Sequence, residues 1–138
     1  MLSKNLDLKF NNSNLKSPNL KIRTYLFSLE IIKFINSLPK TNSFLTIGNQ
    51  LLRSATSVGA NIIEAQASSS RKDFIKFFQI ALKSANETTY WLSLLRDAFK
   101  QLEEKCKILL SETEEISKML GRSLITLKSG QKDSPSSF

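Results

Sequence analysis

Between residues 74 and 99, Phe74, Phe78, Ala81, Ala85, Thr88, Leu92, Leu95 and Phe99 recur in alternating steps of four and three residues without a fault. The regular conformation that brings such positions to one side is the α-helix. A spacing of about 3.5 residues also makes a narrow seam, which has to be covered by other helices. Phe77, Ile80, Trp91 and Leu94 lie beside the seam, while Lys76, Lys83 and Tyr90 fall opposite it, on a solvated side. A chain with this segment near its middle is expected to be a helix bundle.

The other segments are compatible. Ser17-Pro18 can open a first helix, serine as N-cap and proline at the first helical position. Ile22, Leu26, Leu29, Ile32 and Ile35 then give a stripe, which Tyr25, Phe27, Ile31 and Phe34 widen. So apolar a helix needs cover on more than one side, from its own bundle or from another subunit. Leu38-Pro39 ends it, because the residue before proline avoids the helical region. After Thr41-Asn42-Ser43, Phe44, Gly48, Leu51, Ala55, Val58 and Ile62 form a second seam. Gly48 and Gly59 each cost about 1 kcal/mol in a helix interior relative to alanine, so both are expected to mark close helix approach. Ala67-Ser68-Ser69-Ser70 breaks the pattern, and Ser70 with Asp73 resembles a capping box.

From Arg71 to Lys128 there is no proline, and Gly121 is the one glycine. A single helix over that span would be about 87 Å long, too long for a small chain to cover, so a turn is expected near residues 99–102. Leu102, Cys106, Leu109, Thr113, Ile116, Leu120 and Leu127 form the fourth seam, with Glu112, Glu114 and Glu115 facing out near Lys118. The prediction is an all-α, antiparallel up-down-up-down four-helix bundle with helices at about 18–38, 43–66, 71–98 and 102–128. Residues 1–16 read as a loose arm and 129–138 as a disordered-type tail.

The composition narrows the function classes. No histidine is present and Cys106 is the single cysteine, which excludes an internal disulfide and the usual zinc sets. Cys106 lies on a seam, where a cysteine is a core residue before it is a nucleophile. No glycine-rich phosphate loop occurs. The expectation is therefore a non-enzymatic protein without cofactor or metal. The start, MLSKNLDLKFNN, lacks the apolar run of a signal peptide, and no stretch is long and apolar enough to span a membrane; a cytoplasmic protein is expected.

Formal charge is +8, with 20 basic and 12 acidic residues. Residues 1–40 hold seven Lys/Arg against two Asp/Glu, 41–98 six against four, and 99–138 seven against six. Such a surplus suits an anionic partner, RNA or DNA, or simply keeps the protein soluble. The candidates for nucleic-acid contact are Arg71, Lys72, Lys76, Lys83, Lys100, Lys105 and Lys107, with Lys21, Arg23, Lys33 and Lys40 in the first part of the chain. Arg71, Lys72 and Lys76 stand at a helix start, where free backbone N–H groups also attract phosphate. With most phenylalanines on seams, binding would be charge-led and weakly sequence-selective.

On the second helix Arg53, Ser57, Asn61 and Glu64 form a polar stripe about 130° from the apolar seam. Geometry leaves two readings open, a solvated face or a second, hydrogen-bonded interface.

The stretch Gln50–Glu87 resembles the signature of the bacterial four-helix-bundle family first associated with intervening sequences in large-subunit ribosomal RNA genes. The resemblance is carried by Gln50, Leu51, Arg53, Ser57, Asn61, Ile62 and Glu64, then by Arg71, Phe74, Ile80, Ala81, Ser84 and Glu87. Compatible helix patterns extend it from about residue 20 to 127. Leu52 stands where the family has the first of two arginines, Ala65 where it has a glycine, and Lys83 where it has a small residue. The resemblance implies a homopentameric ring of four-helix protomers. It also connects the chain to the accessory variability protein of diversity-generating retroelements, which binds nucleic acid and partners a reverse transcriptase. It favours reading Arg53, Ser57, Asn61, Glu64, Ser84 and Glu87 as a polar network that fixes register or subunit geometry, with Arg53 reaching Glu87. The alternative is a structural or protein-partner scaffold with no nucleic-acid role.

Overall fold

The computed structural model describes residues 19–130. Ser17, Pro18, the arm at 1–16 and residues 131–138 of the tail lie outside the described residues. Four helices follow one another: α1 (Leu20–Asn36), α2 (Asn42–Ala67), α3 (Arg71–Ala98) and α4 (Glu103–Lys128), with a 3-10 turn at Lys100–Leu102 before α4. Among the described residues there is no strand.

The ends follow from local chemistry. Asn19 caps α1, its side-chain oxygen accepting from the Ile22 N–H at 3.2 Å. Ser70 caps α3 by accepting from the Asp73 N–H at 3.1 Å. Both caps satisfy a backbone donor that the helix itself leaves open. The break between α3 and α4 falls at Phe99, whose extended backbone turns the chain, and the 3-10 turn restarts it. Phe99 then stacks its ring on Phe44, centroids 4.0 Å apart, and closes that end of the bundle.

Contacts between neighbours show that successive helices run antiparallel. Gly59 approaches Thr24 while Gly48 approaches Ile35 and Leu38. Ser57 meets Ser84 while Arg53 meets Glu87. Arg23 meets Glu112 while Glu30 meets Lys105. The seams of α2, α3 and α4 bury Leu51, Val58 and Ile62, Phe74, Phe78 and Leu92, and Cys106, Ile116 and Leu120 in one core. Each large side chain fully withdrawn from water contributes about 1.5–3 kcal/mol.

The first helix corrects the sequence reading. Its buried line is Leu20, Arg23, Thr24, Leu26, Phe27, Ile31 and Phe34. Of the expected stripe only Leu26 is fully buried, and Ile32 is exposed. The helix is rotated so that two polar residues enter the interior. Thr24 satisfies its hydroxyl on the Leu20 carbonyl at 2.6 Å. Arg23 is neutralised by Glu112, with Nε–Oε1 at 2.6 Å and Nη2–Oε2 at 3.0 Å. Their side chains are only 10% and 16% exposed. Glu112 therefore does not face out with Glu114 and Glu115, because it is the counter-charge to a buried guanidinium. The bidentate hydrogen bond that Arg23 donates to Glu112 raises the Arg23 pKa further, against the opposing effect of burial.

The two expected close approaches also separate. A methyl group on Gly59 would meet Thr24 Oγ1 at 3.2 Å, tighter than ordinary contact, so α1 and α2 do approach closely there. On Gly48 it would meet Leu38 and Ile35 only at 3.6 and 3.8 Å, which is ordinary packing distance and leaves room for alanine.

Breaking a buried pair strands a charge, whereas replacing both partners by apolar groups does not. Glu112→Ala should lower unfolding stability by about 3 kcal/mol, and Arg23→Met with Glu112→Leu should recover most of that loss. Urea denaturation of the two variants checks this. A loss below about 1 kcal/mol for the single variant would show that the pair is solvated.

Candidate functional site

Antiparallel packing of α2 on α3 brings most of the polar stripe together. Arg53 Nη2 donates to Glu87 Oε2 at 2.5 Å and to Gln50 Oε1 at 2.8 Å. One turn on, Ser57 Oγ and Ser84 Oγ are 3.0 Å apart. Asn61 Nδ2 donates to the Ser57 carbonyl at 2.8 Å and to Ser57 Oγ at 3.0 Å. Glu64 is exposed at the end of the row and makes no ion pair with another described residue. Five of the six residues expected in the network are thus linked, within one chain.

The ladder extends deeper than the stripe. Ser54 and Thr88 are both fully buried, and Thr88 Oγ1 lies 3.0 Å from Ser54 Oγ and 2.8 Å from the Ser84 carbonyl. In the sequence Thr88 reads only as a seam residue, and Ser54 stands beside Ala55 as one more small side chain. The signal was a hydroxyl on one seam, Thr88, facing a hydroxyl beside the other, Ser54. Ala65, where the family pattern has glycine, is fully buried in the core. Leu52, in place of an arginine, packs partly buried against the core.

The cations divide into two groups. Lys33 and Lys105 flank Glu30 at 3.7 and 3.5 Å. Lys107 pairs with Glu103 at 3.0 Å, Lys118 with Glu114 at 3.3 Å, and Arg96 with Asp97 at 2.8 Å. Arg23 is committed to Glu112 in the interior, which takes it out of any exposed surface. Arg71 donates to the Leu127 carbonyl and so leans towards the end of α4. In contrast Lys72, Lys76, Lys83 and Lys100 are exposed and form no ion pair among the described residues, and the same holds for Lys40, Arg122 and Lys128. Lys21 has no acidic partner among the described residues either and lies half-buried.

Ten acidic residues are described, and seven of them (Glu30, Glu87, Asp97, Glu103, Glu112, Glu114 and Glu115) already face a cation. Only Glu64, Asp73 and Glu104 remain; pairing removes both signs equally and leaves the net surplus unchanged, but it leaves few carboxylates to offset the exposed lysines. Cys106 is fully buried, and burial pushes its thiol up to about 11, partly offset by Arg96. It stays a protonated core thiol at neutral pH. Among the described residues no group of three or more His, Cys, Asp or Glu could hold a metal ion, and no helix is long and apolar enough to cross a membrane.

The fold defines an all-α four-helix bundle whose central helix pair is joined by a polar ladder. The chain belongs to the 23S rRNA-intervening sequence protein family, whose sequence model matches residues 20–122. A crystal structure of a protein of unknown function from the S23 ribosomal protein family, from Bacteroides thetaiotaomicron, is 37% identical. The match covers 77% of this chain and 98% of that one, with a TM-score of 0.72. No curated protein matches.

The ladder should be weighted towards its buried end. Arg53 and Glu87 are 57% and 39% exposed, so Arg53→Ala should cost less than about 1 kcal/mol. Thr88→Val, at a fully buried hydroxyl, should cost about 1–2 kcal/mol. Thermal unfolding of both variants decides the order. A larger loss at Arg53 would mean that something outside this chain buries the pair.

Proposed function

We propose that the protein is a non-enzymatic, oligomeric accessory or adaptor that binds RNA or DNA through charge, with weak sequence selectivity. The observation that carries this reading is the imbalance left after internal pairing. Among the described residues seven acids are engaged and three form no ion pair, while Lys72, Lys76, Lys83 and Lys100 stand exposed without an acidic partner. Uncompensated lysines gain most from a polyanion, since each phosphate contact releases a condensed counterion. Membership of a family named for rRNA intervening sequences agrees with a nucleic-acid setting.

Oligomerisation is supported by α1. Ile22, Tyr25 and Leu29 are half-buried and Ile32 is exposed, and they recur at one side of the helix. A second copy would cover this apolar edge, and a pentamer would repeat each modest basic patch five times, multiplying affinity through avidity. The second reading, a scaffold for protein partners without nucleic acid, rests on the same edge.

Light scattering of the purified full-length protein should give about five times the protomer mass of 15.6 kDa. Binding to structured RNA or duplex DNA should weaken steeply as salt rises. A monomeric mass would remove the ring. Absent or salt-independent binding would favour the scaffold.

A further inference from the structure

We propose that the outward line of α3, formed by Lys72, Lys76, Lys83 and Tyr90, is a seat for single-stranded nucleic acid. The lysines would follow the phosphates, and the Tyr90 ring would stack on an unpaired base. This deepens the nucleic-acid reading above and rests on it, but it selects the strand state and names the residue that recognises it.

The geometry is that of a straight track. At about 100° per residue, Lys72, Lys76, Lys83 and Tyr90 fall within a sector of about 40°. They span about 27 Å along the axis at ~1.5 Å per residue, enough for a short single-stranded site of about four nucleotides. Gln79 and Asn86 lie at the edge of the same sector and supply amides. Between Lys72 and Tyr90 no carboxylate stands on the line; Asp97 continues it one heptad beyond Tyr90 and is paired with Arg96. Asp73 is about 100° round the helix from Lys72. Glu87, the nearest acid along the helix, is held by Arg53 on the α2 side. None of the three lysines is paired with an acid among the described residues, unlike Lys105, Lys107 and Lys118 of α4.

Tyr90 makes the track more than a charged surface. Of the aromatic side chains in the described residues it alone is exposed, at 57%. The others are seam residues or half-buried. Its ring is braced edge-on by Trp91, with centroids 4.9 Å apart. A braced, open ring beside lysines matches the stacking platforms of single-strand binders, in which any base offers a π-face. A duplex hides those faces in its own stack and would meet only the lysines.

The test is fluorescence anisotropy with the full-length protein and two labelled probes, a 12-nucleotide oligouridine and a 12-base-pair RNA duplex. Wild type should prefer the single strand. Tyr90→Ala should weaken oligouridine binding by about 5- to 100-fold and leave duplex binding within about twofold. Tyr90→Phe should retain single-strand affinity, since stacking needs the ring and not the hydroxyl. Lys76→Gln with Lys83→Gln should lower the salt slope on oligouridine by about 1.4. All of these positions are exposed, so circular dichroism should be unchanged. An unchanged oligouridine affinity in Tyr90→Ala, or equal losses on both probes, would overturn the seat while leaving the broader reading intact. A wild type that binds neither probe would overturn both. A change in oligomer mass in Tyr90→Ala with binding unaffected would assign this face to a protein contact and overturn the seat.

Discussion

The register between α2 and α3 is the constraint on which the rest depends. Ser54 on Thr88 and Ser57 on Ser84 place hydroxyls of the two helices within hydrogen-bonding distance, so sliding one helix by a turn would lose these contacts and leave Ser54, Ser57 and Thr88 only their partners within their own helices. Each such contact is worth about 1 kcal/mol, and several made together favour one register over its neighbours. The outer pair, Arg53 with Glu87, adds direction but little energy, because water reaches both groups. The same rotation of α3 that turns Ser84 and Thr88 towards α2 turns Lys83 and Tyr90 out. The internal ladder and the external line are two sides of one helix.

Charge compensation follows from this packing. The antiparallel arrangement of α1 and α4 brings Glu112 to Arg23 and Lys105 to Glu30. Short-range pairs along α4 absorb Lys107 and Lys118. On α3 the fold leaves Lys72, Lys76 and Lys83 without an ion pair among the described residues, as it leaves Lys40, Lys100, Arg122 and Lys128 elsewhere. The three on α3 share one side of one helix. Localisation matters for a polyanion, because adjacent lysines neutralise neighbouring phosphates together.

Much of the fold was legible in the chain. The seams of α2, α3 and α4 could be read because their positions are apolar or small at every step, and the turn at Phe99 followed from the length a continuous helix would have. The seam of α1 could not be read, because two of its members are Arg23 and Thr24. Their burial is tolerable only through Glu112, 89 residues away, and through the Leu20 carbonyl, neither of which shows as a local pattern. The same gap misplaced Glu112, which stands among outward acids in the sequence and turns inward in the structure. For the candidate site, the stripe and its partners Ser84 and Glu87 were visible as helical spacing, whereas Thr88 was hidden as a small seam residue and Ser54 as a small side chain beside the seam. Tyr90 was visible as an outward residue, but its use depends on which neighbouring charges remain unpaired, and that is set by tertiary contacts.

The central claim is that the cations left uncompensated by the fold are the ones that engage nucleic acid. Lysine acetylation read by mass spectrometry, with and without single-stranded RNA, tests it most directly. Lys72, Lys76 and Lys83 should be protected together on binding, while Lys105, Lys107 and Lys118 keep their reactivity. Protection centred on the paired lysines of α4, with Lys72, Lys76 and Lys83 still reactive, would contradict the account.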